Sequence, residues 1–325
     1  RRRHTRYSLQ SRGLGDVYKR QVSGRGKELL NRSFTRRKFA EFLGKQKASL
    51  IAFECCASAH YWARMAQRHG HEPRIIPAKA VSPFRQGHKT DSNDALAVAE
   101  AARRPNIKDA PMKTVEQQGL QSIQRSRELL IQECTALSNH LRGILLEFGV
   151  TIPLGFASLL KALPEILEDG ENEISDVYRP TLHRLHNRML ELRRDIEAMT
   201  KEIDVLVKQH PVCSRLTAIE GIGPIGALSL YAVLGSGQAF TKSREFSAYL
   251  GLTPRQFSSG GKTNNVGISK KVGNRRLRAI LIQGARAYVF RMKEPKSLKD
   301  RWLKELIERA GVNRAAVALA NKNVR

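Results

Sequence analysis

Acidic residues are scarce in this sequence. Asp and Glu number 30 against 57 Lys and Arg in 325 residues, a formal charge of +27. A surplus of that size points to a polyanionic partner, because each phosphate a protein neutralises releases condensed counterions. Cysteine is scarce as well: Cys55 and Cys56 are neighbours, while Cys134 and Cys213 stand alone. A vicinal pair does not readily close an ordinary disulfide, and no C-x-x-C spacing signals zinc. Reduced, buried thiols in a cytoplasmic protein are therefore expected. Long apolar runs are missing too. None approaches the roughly 18 residues that a membrane span requires, and no signal-peptide pattern opens the chain. No membrane partner is expected. Apolar residues still make up 41%, which excludes a wholly disordered chain, and the length suits two or three domains.

Residues 1–21 (RRRHTRYSLQSRGLGDVYKRQ) show neither helical nor strand periodicity, and they set seven basic residues against one acid, Asp16. By composition this is a disordered basic arm. The favoured reading is a non-native stretch, since LGDVYKRQ resembles translated adapter strings. The positive surplus survives its removal.

From Thr35 to about Ala102 helix and strand patterns alternate, which predicts an α/β domain. Thr35 caps a helix whose Phe39, Phe42 and Leu43 share a face. Leu50-Ile51-Ala52-Phe53 reads as a strand buried on both sides. Ser58 is expected to cap a helix that Gly70 ends. Arg74-Ile75-Ile76 reads as a strand, and Asp91 to Ala102 as an amphipathic helix. Over 115–210, apolar residues at helical spacing predict two long antiparallel helices or a coiled coil, joined by a Pro- and Gly-containing connection (Ile152 to about Pro180). Beyond Leu216 the chain is mostly helical and punctuated by glycine.

Three patterns carry chemistry. Glu54 directly follows the buried strand, and Asp91 and Asp94, three residues apart, share one helix face. Clustered carboxylates suit hard divalent cations such as Mg²⁺, which bridge to phosphate oxygens; the plain alternative is helix capping and dipole compensation. Pro254 to Lys262 places Ser258 and Ser259 before Gly260-Gly261, either a polar loop or a loop bearing a nucleophile. Glu220-Gly221-Ile222-Gly223-Pro224, between helical stretches, resembles the hairpin of helix-hairpin-helix modules, with Gly221 and Gly223 near a phosphate. Lys262, Lys270, Lys271, Arg275, Arg276 and Arg278 are nucleic-acid-binding candidates, or a solvated basic face.

Taken in order, FECCASAHYWAR, KTDSNDALAVAEA, EGIGPIGALSL, YLGLTPRQFSSGGK and GISKKVGNRRLR resemble the DEDD transposases of insertion sequence family 110, in its 1111 branch, a group related to pilin-gene inverting recombinases. The similarity runs from Val22 to Arg325. It implies an N-terminal RuvC-like domain of ribonuclease H fold over 22–112, a helical coiled-coil connection over 113–210, and a mainly α C-terminal transposase domain over 211–325. It implies Glu54, Asp91 and Asp94 as catalytic, metal-binding carboxylates, Ser259 as nucleophile with Ser258 as fallback, and Mg²⁺ as cofactor. DNA, a structured guide RNA and further copies of the chain (a dimer or tetramer) are the implied partners, with carboxylates of one subunit completing a site with the serine of another. The family's first aspartate lies on its first strand and falls near residue 11 here, where the sequence offers only Asp16, in an unsuitable context. The expectation is a chain lacking that strand and one metal ligand, and therefore inactive as written. The alternatives are a RuvC-like nuclease that uses water, and a nucleic-acid-binding protein without catalysis.

Overall fold

The computed structural model describes residues 6–11, 17–23, 27–235, 237, 239–269 and 273–325. The chain divides into two units, Arg1–Glu116 and Gln117–Arg325.

The first unit is built on a five-stranded sheet of β1 (Arg6–Ser11), β2 (Val17–Val22), β3 (Glu28–Phe34), β4 (Leu50–Glu54) and β5 (Glu72–Ile76), in the order β3-β2-β1-β4-β5. The strands β1, β2 and β3 are antiparallel neighbours, β4 joins β1 in parallel, and β5 joins β4 in parallel. A first, central strand is therefore present, against the expectation that it is missing and that residues before Val22 carry no structure. The polar string RYSLQS has little strand signal of its own. It is a strand because it finds ladder partners on both sides, and such pairing overrides weak local preference. Asp16 lies outside the described residues.

Helices cover both faces. On one side α1 (Arg36–Lys45) and α2 (Ala59–Arg68) bring Phe39, Leu43, Trp62, Ala63 and Ala66 against Ile51, Phe53 and Ile75. On the other, α3 (Ala78–Val81) and α4 (Asp91–Ala102) bring Val81, Ala97, Val98 and Ala101 against Leu50, Ala52 and Ile76. The strand β4 is buried from both sides, as its unbroken apolar run predicts. Thr35 caps α1, its Oγ1 accepting from the Lys38 N–H at 3.3 Å. Ser58 departs from expectation: it precedes α2 with a φ of 67° and makes no side-chain capping bond. Cys55 and Cys56, on the segment after β4, are exposed rather than buried, whereas Cys134 and Cys213 are buried; all four are free thiols.

In the second unit, α5 (Val115–Glu147) and α7 (Arg179–Gln209) run antiparallel, since Arg127 meets Thr200 and Arg188 meets Glu133. The connection between them holds a helix that the sequence reading passed over, α6 (Phe156–Glu168). It buries Leu159, Leu160 and Leu163 against Leu141, Leu145, Leu182 and Met189, although Pro164 sits inside it. A second core gathers α8 (Pro211–Thr217), α9 (Pro224–Leu234), α10 (Ser243–Leu250), α11 (Arg275–Arg291), α12 (Leu298–Ala310) and α13 (Val312–Asn323) around Leu228, Leu250, Leu281, Leu303 and Leu319. Between α10 and α11, β6 (Pro254–Ser259) and β7 (Lys262–Ile268) form a two-stranded antiparallel hairpin where a loop was expected. No helix among the described residues is long and apolar enough to cross a membrane.

Candidate active site and nucleic-acid interface

Side chains alternate along a strand, so Glu54, the last residue of β4, shares the face of Leu50 and Ala52. That is the face covered by α4. The cap of α4 is Thr90, whose Oγ1 accepts from the Asn93 N–H at 3.3 Å. With capping done by a threonine, Asp91 and Asp94 are not needed for it. Asp94 is buried, and Arg85 stands 3.5 Å from its carboxylate. Strands β2 and β3 hold the start of α4: Arg20 donates to the Ser92 carbonyl at 3.3 Å, and Asn31 Nδ2 to the Ser92 hydroxyl at 3.3 Å. The structure thus places Glu54, Asp91 and Asp94 on one side of one sheet. Arg85 and Arg20 were missed by sequence reasoning, because neither lies in a pattern that signals contact with α4.

The parallel register pairs Arg6 with Leu50, Tyr7 with Ile51, Ser8 with Ala52 and Leu9 with Phe53, and one step further along the two backbones lie Gln10 and Glu54. The string RYSLQS contains no acid. The strand expected to carry the first carboxylate is there, and the carboxylate is not. Carboxylate oxygens are the donors that a hard divalent cation takes, so the set suits Mg²⁺ in kind. The structure does not draw them together, however: among the described residues no group of three or more His, Cys, Asp and Glu side chains, Glu54, Asp91 and Asp94 included, is gathered closely enough to hold a metal ion. As written, the set does not fit a complete Mg²⁺ site.

The serines lie at the tip of the β6–β7 hairpin. Gly260 and Gly261 have φ of 55° and 77°, the left-handed pair that a two-residue hairpin turn needs. Every residue of β6 is exposed. The register sets Arg255 opposite Val266, Phe257 opposite Asn264 and Ser259 opposite Lys262, with Gln256 and Ser258 at the alternate positions. Ser259 therefore shares a ribbon face with Arg255, Phe257 and Lys262, and Ser258 lies on the other. Arg255 stands 5.8 Å from the centroid of the Phe257 ring.

The remaining candidates separate by environment. Gly221, at φ 86°, leaves little space for a side chain: an added Cβ would come within 3.2 Å of the Gly284 carbonyl on α11. Gly223 caps α9 with open space around it. The loop between α8 and α9 is tied down further by Asn323 Nδ2, donating to the Glu220 carbonyl at 2.8 Å, and by Lys299, whose hydrogen bond holds the Glu220 carboxyl below its usual range. Arg276 pairs with Glu128 at 2.6 Å and donates to the Gln124 carbonyl, and buried Arg278 donates to the Gly251 carbonyl at 3.2 Å. Both are engaged in fixing α11. Lys262 and Arg275 are exposed. Lys270 and Lys271 lie outside the described residues.

Comparison with known proteins defines the class first. A family model described as a transposase matches residues 20–149, and one described as the transposase IS116/IS110/IS902 family matches residues 213–302. The chain is 38% identical to the transposase for insertion sequence element IS1111A of Coxiella burnetii, over 92% of this chain and 82% of that one. It is 38% identical to a probable family 20 transposase of Pseudomonas aeruginosa, over 90% and 87%. With the transposase for insertion sequence element IS1328 of Yersinia enterocolitica it shares 36% identity, over 92% and 89%. The chain belongs to the IS116/IS110/IS902 family of insertion-sequence transposases, a family of DNA-processing enzymes.

Proposed function

We propose that the first unit is a RuvC-like domain of ribonuclease H fold and that Glu54, Asp91 and Asp94 are three of its four catalytic carboxylates. The observation that carries this is their shared side of a sheet ordered β3-β2-β1-β4-β5, with the position level with Glu54 on β1 filled by Gln10. With a fourth carboxylate supplied there and the other three drawn in, the set would hold Mg²⁺, which would neutralise charge on the phosphate. Lacking it, this chain binds DNA and cuts poorly. The long helices α5 and α7 serve as a coiled-coil connection, and α8, α9 and their loop as a helix-hairpin-helix-like element. By domain, the catalytic part is the first unit rather than 22–112 alone, because β1 and β2 belong to its sheet; 113–210 connects and 211–325 carries the serine. The resemblance to family 110 adds a homo-oligomer and a structured guide RNA, and the +27 charge suits either polyanion.

The nucleophile is Ser259. Its Oγ forms an ester to the scissile phosphorus while the P–O bond to one DNA strand breaks, and the departing strand oxygen takes up the serine proton. A DNA hydroxyl later attacks the same phosphorus, and the proton it sheds returns to Ser259 as the ester opens. Ser259 is favoured over Ser258 because Lys262 and Arg255 share its face and offer positive charge to the phosphate.

The test uses a Gln10→Asp background with a nicked duplex that traps the covalent adduct. Adduct is expected with the intact serines and with Ser258→Ala, and none with Ser259→Ala. Adduct retained in Ser259→Ala and lost in Ser258→Ala reverses the assignment. Cutting that survives both serine changes, but not Asp91→Ala, makes the enzyme a nuclease that uses water.

A further inference from the structure

The β6–β7 hairpin is out of keeping with the rest of the second unit. A two-stranded ribbon is marginally stable alone, yet all of β6 is exposed, and so are Lys262, Asn264, Asn265 and Val266 on β7. Phe257 is 58% exposed at its centre, where a stand-alone hairpin would gain from covering it. The surrounding sequence is one-sided in charge. From Phe246 to Lys293 there is no Asp or Glu and there are ten Lys or Arg. The partner that such a surface fits is a polyanion with apolar faces to offer, which describes stacked bases between phosphates.

We propose that this ribbon is a groove-entering arm that reads duplex DNA, with the face of Arg255, Phe257, Ser259, Lys262 and Asn264 turned to the duplex. The major groove of B-DNA admits a two-stranded ribbon. The ribbon's two edges carry its roles at different heights. Lys262, beside the turn, meets phosphate next to Ser259. Phe257, one side-chain step back on the same face, stacks on a base at an opened step, braced by the Arg255 guanidinium. Asn264, opposite Phe257, carries both a donor and an acceptor for a base edge. Phe257 is thus a positioning residue: stacked on a base, it fixes which phosphate Ser259 reaches. This deepens the proposed role of Ser259 and rests on it only for the identity of that phosphate.

The full chain is titrated against a fluorescein-labelled mixed-sequence DNA duplex carrying 2-aminopurine, without Mg²⁺, so that binding is read and cleavage is not. Phe257→Ala is expected to weaken binding about tenfold and to abolish the 2-aminopurine rise that marks unstacking. Gln256→Ala, on the opposite face, is expected to leave both unchanged. Equal affinity and an equal fluorescence rise for Phe257→Ala overturn the proposal. So does a loss confined to A-form duplex RNA, or a lower assembly state in sedimentation with DNA binding intact, which makes the ribbon an arm for a second copy. Because Phe257 is exposed, its removal leaves the core untouched. Failure of the covalent step with Ser259 leaves this readout unaffected, so the two failures are distinguishable.

Discussion

Lys19 is the least expected residue of the first unit's core. It is 0% exposed on β2, with its ammonium 3.2 Å from the centroid of the Phe42 ring. Burial, and then the charge of Arg32, push its pKa down from 10.5 to about 7. The folded state thus holds fewer protons than the unfolded state between those two values, and stability rises with pH across that window. Below about 7 the penalty is present in full. The slope from this one group is at most about 1.4 kcal/mol per pH unit. Lys19→Met removes the titration and keeps the stem's volume. In urea unfolding, the variant is expected to be more stable at pH 7 and the difference to shrink towards pH 10; a difference that grows with pH contradicts this reading of Lys19.

Among the elements, α11 is positioned by close backbone approach as well as by side chains. A Cβ on Gly284 would collide with the Gly221 carbonyl oxygen, so the loop of the proposed helix-hairpin-helix-like element sits directly on α11. Gly284→Ala is expected to cost about 1–3 kcal/mol by overpacking, read as a fall in melting temperature, whereas Gly223→Ala, with open space around it, is expected to cost less. A Gly284→Ala protein as stable as the parent contradicts that contact. Legibility at this scale followed apolar periodicity. The helices α1, α4, α5 and α7 and the strand β4 repeat their apolar residues at the right spacing and were readable. The β6–β7 hairpin was not, because its Gly-Gly turn signal is flanked by exposed polar residues with no buried face to alternate with. The central strand β1 was not readable either, since its place comes from β2 and β4 rather than from RYSLQS.

At the scale of the whole molecule, charge and ordered motifs identify the family, and the register of one sheet brings Gln10 beside Glu54, where the proposed catalytic set lacks a carboxylate. The placement of Glu54, Asp91 and Asp94 was legible because each follows or opens a clear element, and Glu54 ends a strand on the sheet face that α4 covers. The basic residues were legible only as a pool. Arg276 and Arg278 turn out to fix α11, while Lys262 and Arg275 stay at the surface, a division that depends on contacts far apart in sequence. The most direct test of the account is Mg²⁺-dependent adduct formation on a nicked duplex by the chain and by its Gln10→Asp variant, with DNA affinity measured alongside. Equal binding, little adduct from the chain, and a gain of at least about tenfold from Gln10→Asp are expected. Equal adduct from both would contradict the account, because the position beside Glu54 would then not be the missing carboxylate.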